Sequence, residues 1–285
     1  MMSAIYLVTG ATGNVGAEVV RALPQNKQTR IAARDIDRAR SQLGSAYDYV
    51  RFDWMDTRTF VSALAGVTHV FLVRPPAITD IAIFQPMIDE ARRAGVRQIV
   101  FLSLQGIEKV SFVPHAKIEK ALEASDIPYT FLRAGFFMQN LNTTHRADIV
   151  EQDEIFLPAG KSKTAFIDVR DIGAVAATVM QEDDHDNRAY VLTGSQPLDY
   201  FEVAAIFSDE LGRKITYSKP SLLTFIWRMW RRQNSLMQVL LMAFLYTLTR
   251  FGQAKTVHPD TENLLGRAPI TLRQFVSDHK AEFQP

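Results

Sequence analysis

The sequence predicts an α/β fold, a doubly wound parallel sheet with helices on both faces and a smaller, mostly helical lobe toward the C-terminus. Three observations predict it. A glycine-rich turn separates a short apolar run from a helical stretch at residues 4–23. Short apolar runs then alternate with helical stretches, which implies parallel pairing and right-handed crossovers. Several of these runs, HVFLV at 69–73 and QIVFLSL at 98–104, are almost wholly apolar, as strands covered on both faces are.

In order, the expected strands are 4–9, Thr29 to Ala33, Tyr47 to Phe52, His69 to Val73, Gln98 to Leu104 and Tyr129 to Leu132. Apolar residues at helical spacing mark helices at Asn14 to Leu23, Ile81 to Ala94 and Ala116 to Ser125. Beyond Leu141 the rhythm loosens. Strands are expected at Ala165 to Val169 and Tyr190 to Thr193, and helices at Asp168 to Met180 and Phe201 to Leu211. In the first of these helices Gly173, Ala174, Ala176 and Ala177 permit close packing on the first lobe.

Composition narrows the function. The 285 residues are 47% hydrophobic and 22% charged, in the range of an ordinary globular protein. There is no cysteine, which excludes disulfides, thiolate metal sites and a cysteine nucleophile. Lys and Arg total 32 against 31 for Asp and Glu, so no global field favours nucleic acid. The six histidines show no ligand spacing, and no metal site is expected. The opening MMSAIYLVTGATG has no basic n-region, so we expect no signal peptide and a cytoplasmic protein.

Ser221 to Arg250 is anomalous, with four arginines, two tryptophans and no acid. Arg228, Arg231, Arg232 and Asn234 interrupt it too often for a membrane span. It is expected to form two helices that roof the second lobe or pack against a second copy in a homodimer. Peripheral membrane contact is the alternative, since a basic face beside Trp and Leu suits an interface.

The strongest chemical signal is Thr9-Gly10-Ala11-Thr12-Gly13-Asn14-Val15-Gly16 between the first strand and first helix. Gly10 allows the tight turn, Gly13 the approach of a pyrophosphate to backbone amides, and Gly16 close packing of helix on strand. The helix N-terminus then offers unpaired N–H groups to phosphate. This is a Rossmann dinucleotide site, to which Thr12, Asn14 and Val15 also contribute. Residues 1–150 are therefore expected to form an NAD(P)-binding domain and 151–285 a substrate and lid lobe, with some interleaving of the two.

Coenzyme choice is made where the second strand ends, over the adenosine ribose. Arg34 stands there and can grip a 2′-phosphate, so NADP(H) is expected over NAD(H). Asp35 keeps the free ribose hydroxyls in play, and a solvated arginine is the plain alternative. After the third strand, Asp53 is placed to accept from the adenine amino group, with Trp54 beside it; an N-cap is the alternative role for Asp53. Arg74, Pro75 and Pro76 end the fourth strand and are expected under the coenzyme.

With TGATGNVG, Arg34, FDWMD at 52–56, FLSLQG at 101–106, HAKIEK at 115–120, IPYTFLRAGFFMQNL at 127–141 and LLGRAPITLRQFV at 264–276, the chain resembles the NmrA-like, atypical short-chain dehydrogenases/reductases. The resemblance implies a coenzyme lobe and a small C-terminal lobe. It also implies that Ala134, Gly135, Phe136, Phe137 and Asn140 line the nicotinamide and substrate pocket. Members include NADPH-dependent reductases of quinones or dyes and redox-sensing regulators without turnover.

One departure sharpens the chemistry. Typical short-chain dehydrogenases carry a tyrosine four residues before a lysine; here Lys117 takes the lysine place and Val113 the tyrosine place. Simple alcohol–ketone interconversion needs an acid at the carbonyl oxygen, and the phenol is missing. A quinone, azo or cationic-dye acceptor delocalises the hydride's charge and demands less of an acid. Lys117, His115 and Ser103 are the catalytic candidates, against a solvated lysine and a capping histidine. Phe136, Phe137 and an aromatic lid of Phe225, Trp227 and Trp230 are expected to sandwich the acceptor. The reading is an NADPH-dependent reductase of a conjugated small molecule, with a non-enzymatic NADP(H) sensor as the alternative.

Overall fold

A computed structural model describes residues 4–78, 80–232, 235–250 and 253–284. Asn234, one of the expected interruptions of the basic segment, lies outside them. The first half runs β1 (Tyr6–Val8), α1 (Asn14–Ala22), β2 (Thr29–Ala33), α2 (Ile36–Leu43), β3 (Asp48–Arg51), α3 (Arg58–Leu64), β4 (His69–Leu72), α4 (Gln85–Arg93), β5 (Gln98–Leu104), α5 (Pro114–Glu123) and β6 (Tyr129–Ala134). Then follow α6 (Gln139–Asn142), α7 (Arg146–Gln152), β7 (Glu154–Ile155), α8 (Val169–Gln181), β8 (Arg188–Leu192), α9 (Tyr200–Leu211) and β9 (Thr216–Tyr217). The chain closes with α10 (Leu222–Arg232), α11 (Leu236–Arg250), α12 (Asp260–Leu265) and α13 (Leu272–Asp278).

Two compact units result. The first is Met1–Ala134 with Val169–Leu192 and Asp260–Arg267; the second is Gly135–Asp168 with Thr193–Pro259 and Ala268–Pro285. The chain first changes unit after Ala134. Strand β8 pairs with β6 from Thr130↔Arg188 to Ala134↔Leu192 and so belongs to the first unit's sheet.

That sheet is seven-stranded and parallel, in the order β3-β2-β1-β4-β5-β6-β8. The order reverses between β1 and β4, and the crevice at such a switch point, outside the carboxyl ends of the strands, is where this architecture takes ligands. On one face Leu7, Val70, Leu72, Ile99, Phe101 and Phe131 meet α3, α4 and α5 through Phe60, Met87, Ile88, Ile118 and Leu122, all buried. On the other, a β-carbon on Gly173 of α8 would stand 2.6 Å from the Glu18 backbone of α1. The small-residue face expected of that helix is therefore used, within the first unit.

In the second unit, Phe156, Phe166, Tyr200, Phe207, Phe225 and Phe275 form one apolar core. Helix α9 is opened by a capping box, Asp199 accepting from the Glu202 amide while Glu202 accepts from the Asp199 amide. The expected strand at 165–169 is not one. Its backbone makes only isolated bridges, Thr164↔Leu198 and Phe137↔Ile167, and α8 begins at Val169.

Two arginines of the acid-free segment find their carboxylates elsewhere in the second unit. Arg228 reaches Asp148 of α7 at 2.7 Å and Glu154 of β7 at 2.6 Å, and Arg232 reaches Asp148 at 2.5 Å. Arg228 also stacks on Phe156 at 4.0 Å. Much of the basic face that peripheral membrane contact needs is thereby engaged internally. Among the described residues no helix is long and apolar enough to cross a membrane.

Candidate active site

The glycine turn is built by sterics. Gly10 has φ +63°, and a β-carbon there would press on Val73 at 3.3 Å. At Gly16 a β-carbon would stand 2.2 Å from the Gly10 carbonyl oxygen and 2.9 Å from Ala11 Cα, a clash only glycine avoids. Gly13, exposed and extended, N-caps α1 and donates its amide to Gly10 O at 2.9 Å. Thr9, unremarked as a site residue in the sequence, fastens the turn to the switch point. Its Oγ1 donates to Phe71 O and accepts from the Val73 amide, each at 3.0 Å.

Helix α1 has no side-chain cap and no acid in its first turn. The amides of Asn14, Val15 and Gly16 therefore face outward with the helix's partial positive charge behind them, which is an anion-binding arrangement. Thr12 and Asn14 are exposed, whereas the Val15 side chain is buried, so Val15 has only its amide to offer.

Arg34 and Asp35 divide cleanly. The Asp35 carboxylate caps α2 by accepting the Arg38 amide at 3.0 Å, while Arg34 is exposed immediately after β2 and forms no ion pair with a described residue. Asp53 accepts the Met55 amide at 3.0 Å and donates its own amide to Thr59. Trp54 packs against Phe52, Phe60 and Phe84, with ring centroids 5.0, 6.1 and 4.5 Å away, so its aromatic face is already occupied in part.

A second group gathers at the carboxyl ends of β4 and β5. Arg74 Nη1 donates to the carbonyls of Pro75, Pro76 and Ile78 at 3.2, 3.3 and 2.6 Å. Its Nε is buried without a partner, as is Ser103 Oγ, and burial pulls the guanidinium below its ordinary pKa. The His115 ring stacks on Phe101 at 5.9 Å. Burial first, and then the Arg74 charge, push His115 down to about 4, so at neutral pH the ring is uncharged. Lys117 is exposed on α5 and does not pair with Glu119. That carboxylate is taken by Arg133 of β6, Nε to Oε1 at 3.1 Å and Nη2 to Oε2 at 2.7 Å. This buried pair escaped the sequence reading, although an arginine inside the apolar run YTFLRA was a signal that a partner had to exist.

The remaining expected site residues belong to the second unit. Phe136 is half-buried against Phe166 and Tyr246, centroids 5.8 and 5.7 Å away. Phe137 bridges to Ile167, and Asn140 opens its amide to Phe137 O at 3.2 Å. Trp227 is 56% exposed with Arg231 over its ring at 4.9 Å. Phe225 is fully buried between Phe156 and Tyr246, so it does not share a face with Trp227 and Trp230, and the three do not make one lid. Among the described residues no group of three or more His, Asp or Glu could hold a metal.

A switch-point sheet with a glycine cradle and an uncapped helix behind it defines a dinucleotide-binding α/β protein. Residues 2–255 match the NmrA-like family, and the chain belongs to it. It is 35% identical over 218 residues, 75% of this chain and 76% of the relative, to an NAD(P)H azoreductase of Xenophilus azovorans. It is 28% identical over 221 residues, 75% of this chain and 77% of the relative, to quinone oxidoreductase 2 of Escherichia coli. The structure of Citrobacter sp. triphenylmethane reductase complexed with NADP(H) superposes with a TM-score of 0.85 at 25% identity, over 96% of this chain and 99% of that one.

Proposed function

We propose that this protein is an NADPH-dependent reductase that passes a hydride to a flat, conjugated small molecule such as a quinone or an azo or triphenylmethane dye. One observation carries the choice of acceptor. At the start of α5 Val113 stands in the tyrosine place and His115 is held near pKa 4, so neither position offers an acid able to protonate a simple carbonyl at neutral pH. An acceptor that spreads the incoming charge over its own π-system needs none.

The residues fit the coenzyme. The space a Gly16 β-carbon would fill is closed by Gly10, and the α1 amides are left for a pyrophosphate. Arg34 would take the 2′-phosphate because Asp35 is committed to its cap. Asp53 and Trp54 would flank the adenine, Pro75 would lie beneath the coenzyme, and Lys117, unpaired with Glu119, would hold the nicotinamide ribose. When bound, the reduced nicotinamide supplies the hydride. His115 orients by hydrogen bonding as a neutral ring, and Ser103 keeps a sealed hydroxyl at the end of β5. Phe136, Phe137, Asn140 and Trp227, all of the second unit, are proposed ligand contacts, each to be read by its own KM.

The test is NADPH oxidation against a panel of quinones, azo dyes and triphenylmethane dyes. Turnover above about 1 per second with any of them is expected of an enzyme. Tight NADPH binding without turnover would instead favour a coenzyme sensor.

A further inference from the structure

Arg74 is a half-buried cation without a counter-ion among the described residues. One amino group is spent on three carbonyls of its own loop, Nε is sealed without a partner, and no carboxylate of a described residue pairs with the guanidinium. Nη2 makes no hydrogen bond to a described residue and is not among the sealed atoms. Burying an unpaired charge is costly, and the carbonyl clamp fixes the fork in one orientation with one donor open. Such a group is built to meet an anion.

Which anion follows from direction. Val73 turns its side chain to Gly10 and so lies against the coenzyme cradle. One residue further along an extended chain the side chain points the other way, and the Arg74 charge is felt by His115 on α5. Leu72, the last residue of β4, pairs with Phe101 of β5, so Arg74, two residues further on, follows the carboxyl end of β4.

We infer that Arg74 is the anchor for the acceptor's oxygen, and that the enzyme is selective for neutral or anionic conjugated carbonyl acceptors, quinones above all, over cationic dyes. The inference rests on the proposed reductase function. In the step it serves, the C–H bond at the nicotinamide C4 breaks and a bond to that hydrogen forms on the quinone. The displaced electron pair runs through the conjugated system to the far carbonyl oxygen, which becomes an oxyanion. Arg74 Nη2 donates a hydrogen bond to that oxyanion and stays protonated throughout, and the single proton that completes the hydroquinone comes from water. Arg74 thus does electrostatically part of what the missing tyrosine does by proton transfer.

The experiment compares wild type, Arg74→Gln and Arg74→Lys with NADPH and three acceptors: 1,4-naphthoquinone, a naphthoquinone sulfonate and a cationic triphenylmethane dye. Far-ultraviolet circular dichroism and NADPH fluorescence titration run alongside. Arg74→Gln should lower kcat/KM for the neutral quinone roughly 100-fold, and for the sulfonate further. The cationic dye should change less than about threefold or improve, and NADPH affinity should hold within about threefold. Arg74→Lys, which keeps charge but not the fork, should recover roughly a tenth of the quinone activity in a folded protein. Equal losses on all three acceptors, or lost NADPH affinity with kcat preserved, would overturn the inference and assign Arg74 to the scaffold or the coenzyme. A wild type that turns over none of the three would remove the reductase reading itself, and the anchor with it.

Discussion

The carbonyl oxygen of Gly10 lies 2.2 Å from where a β-carbon on Gly16 would stand, whereas one on Gly13 would meet the same oxygen at 3.3 Å, tight but short of a clash. The two glycines therefore serve different ends. Gly16→Ala forces apart strand and helix and should cost on the order of 3 kcal/mol of stability, read as a lower urea midpoint. Gly13→Ala should fold with a loss of about 1 kcal/mol or less. It nevertheless sets a methyl where a pyrophosphate approaches, and NADPH affinity should fall roughly 10- to 100-fold. Isothermal titration of Gly13→Ala with unchanged affinity would place the phosphates elsewhere.

Coenzyme choice is tested one strand over. Arg34→Ala should weaken NADPH by about 10- to 150-fold and leave NADH nearly unchanged. Asp35→Ala removes the α2 cap and should cost about 1 kcal/mol of stability without raising the dissociation constant for either coenzyme. An Asp35 variant that loses NADH selectively would show that the carboxylate leaves its cap to bind ribose.

Asp148 is buried with two arginines, Arg228 and Arg232, on it. Removing one member of a buried ion-pair group strands the others. Asp148→Ala should therefore destabilise the protein by about 3–5 kcal/mol, while Arg231→Ala on the same helix, whose side chain is exposed, should cost under about 1 kcal/mol. Thermal unfolding of the two variants separates these outcomes; similar Tm losses would mean that the Asp148 cluster is not what holds α10.

Acid should unfold the protein through its histidines. His115 and His145 are both pushed from 6.5 to about 4, chiefly by burial. The unfolded chain takes up these protons first, so stability is fully present above about pH 6.5 and is lost as pH falls toward 4, by about 3 kcal/mol for each ring. Urea midpoints across that window should decline, and His145→Asn should flatten the slope by close to one proton. An unchanged slope would mean that His145 is not buried neutral.

Much of this was legible because it is local. The glycine spacing, the arginine after β2 and the valine four residues before Lys117 are fixed by neighbours in the chain. Contacts between distant residues were not legible. Arg228 and Arg232 read as a bare basic face because Asp148 and Glu154 lie in earlier elements, and Arg133 gave no hint that Glu119 was its partner. The run Ala165 to Val169 has strand composition, yet only single residues find a backbone partner. Helix α10 has aromatics on both faces, so its sequence alone did not separate buried Phe225 from exposed Trp227. Arg74 was expected under the coenzyme; the field it exerts on His115 is a property of the fold alone.

The most direct test is steady-state NADPH oxidation by the purified protein with a naphthoquinone as acceptor, its stoichiometry followed to hydroquinone. The account predicts one quinone reduced per NADPH consumed, at about 1 per second or faster. Saturable NADPH binding in folded protein with no quinone or dye consumed would contradict it.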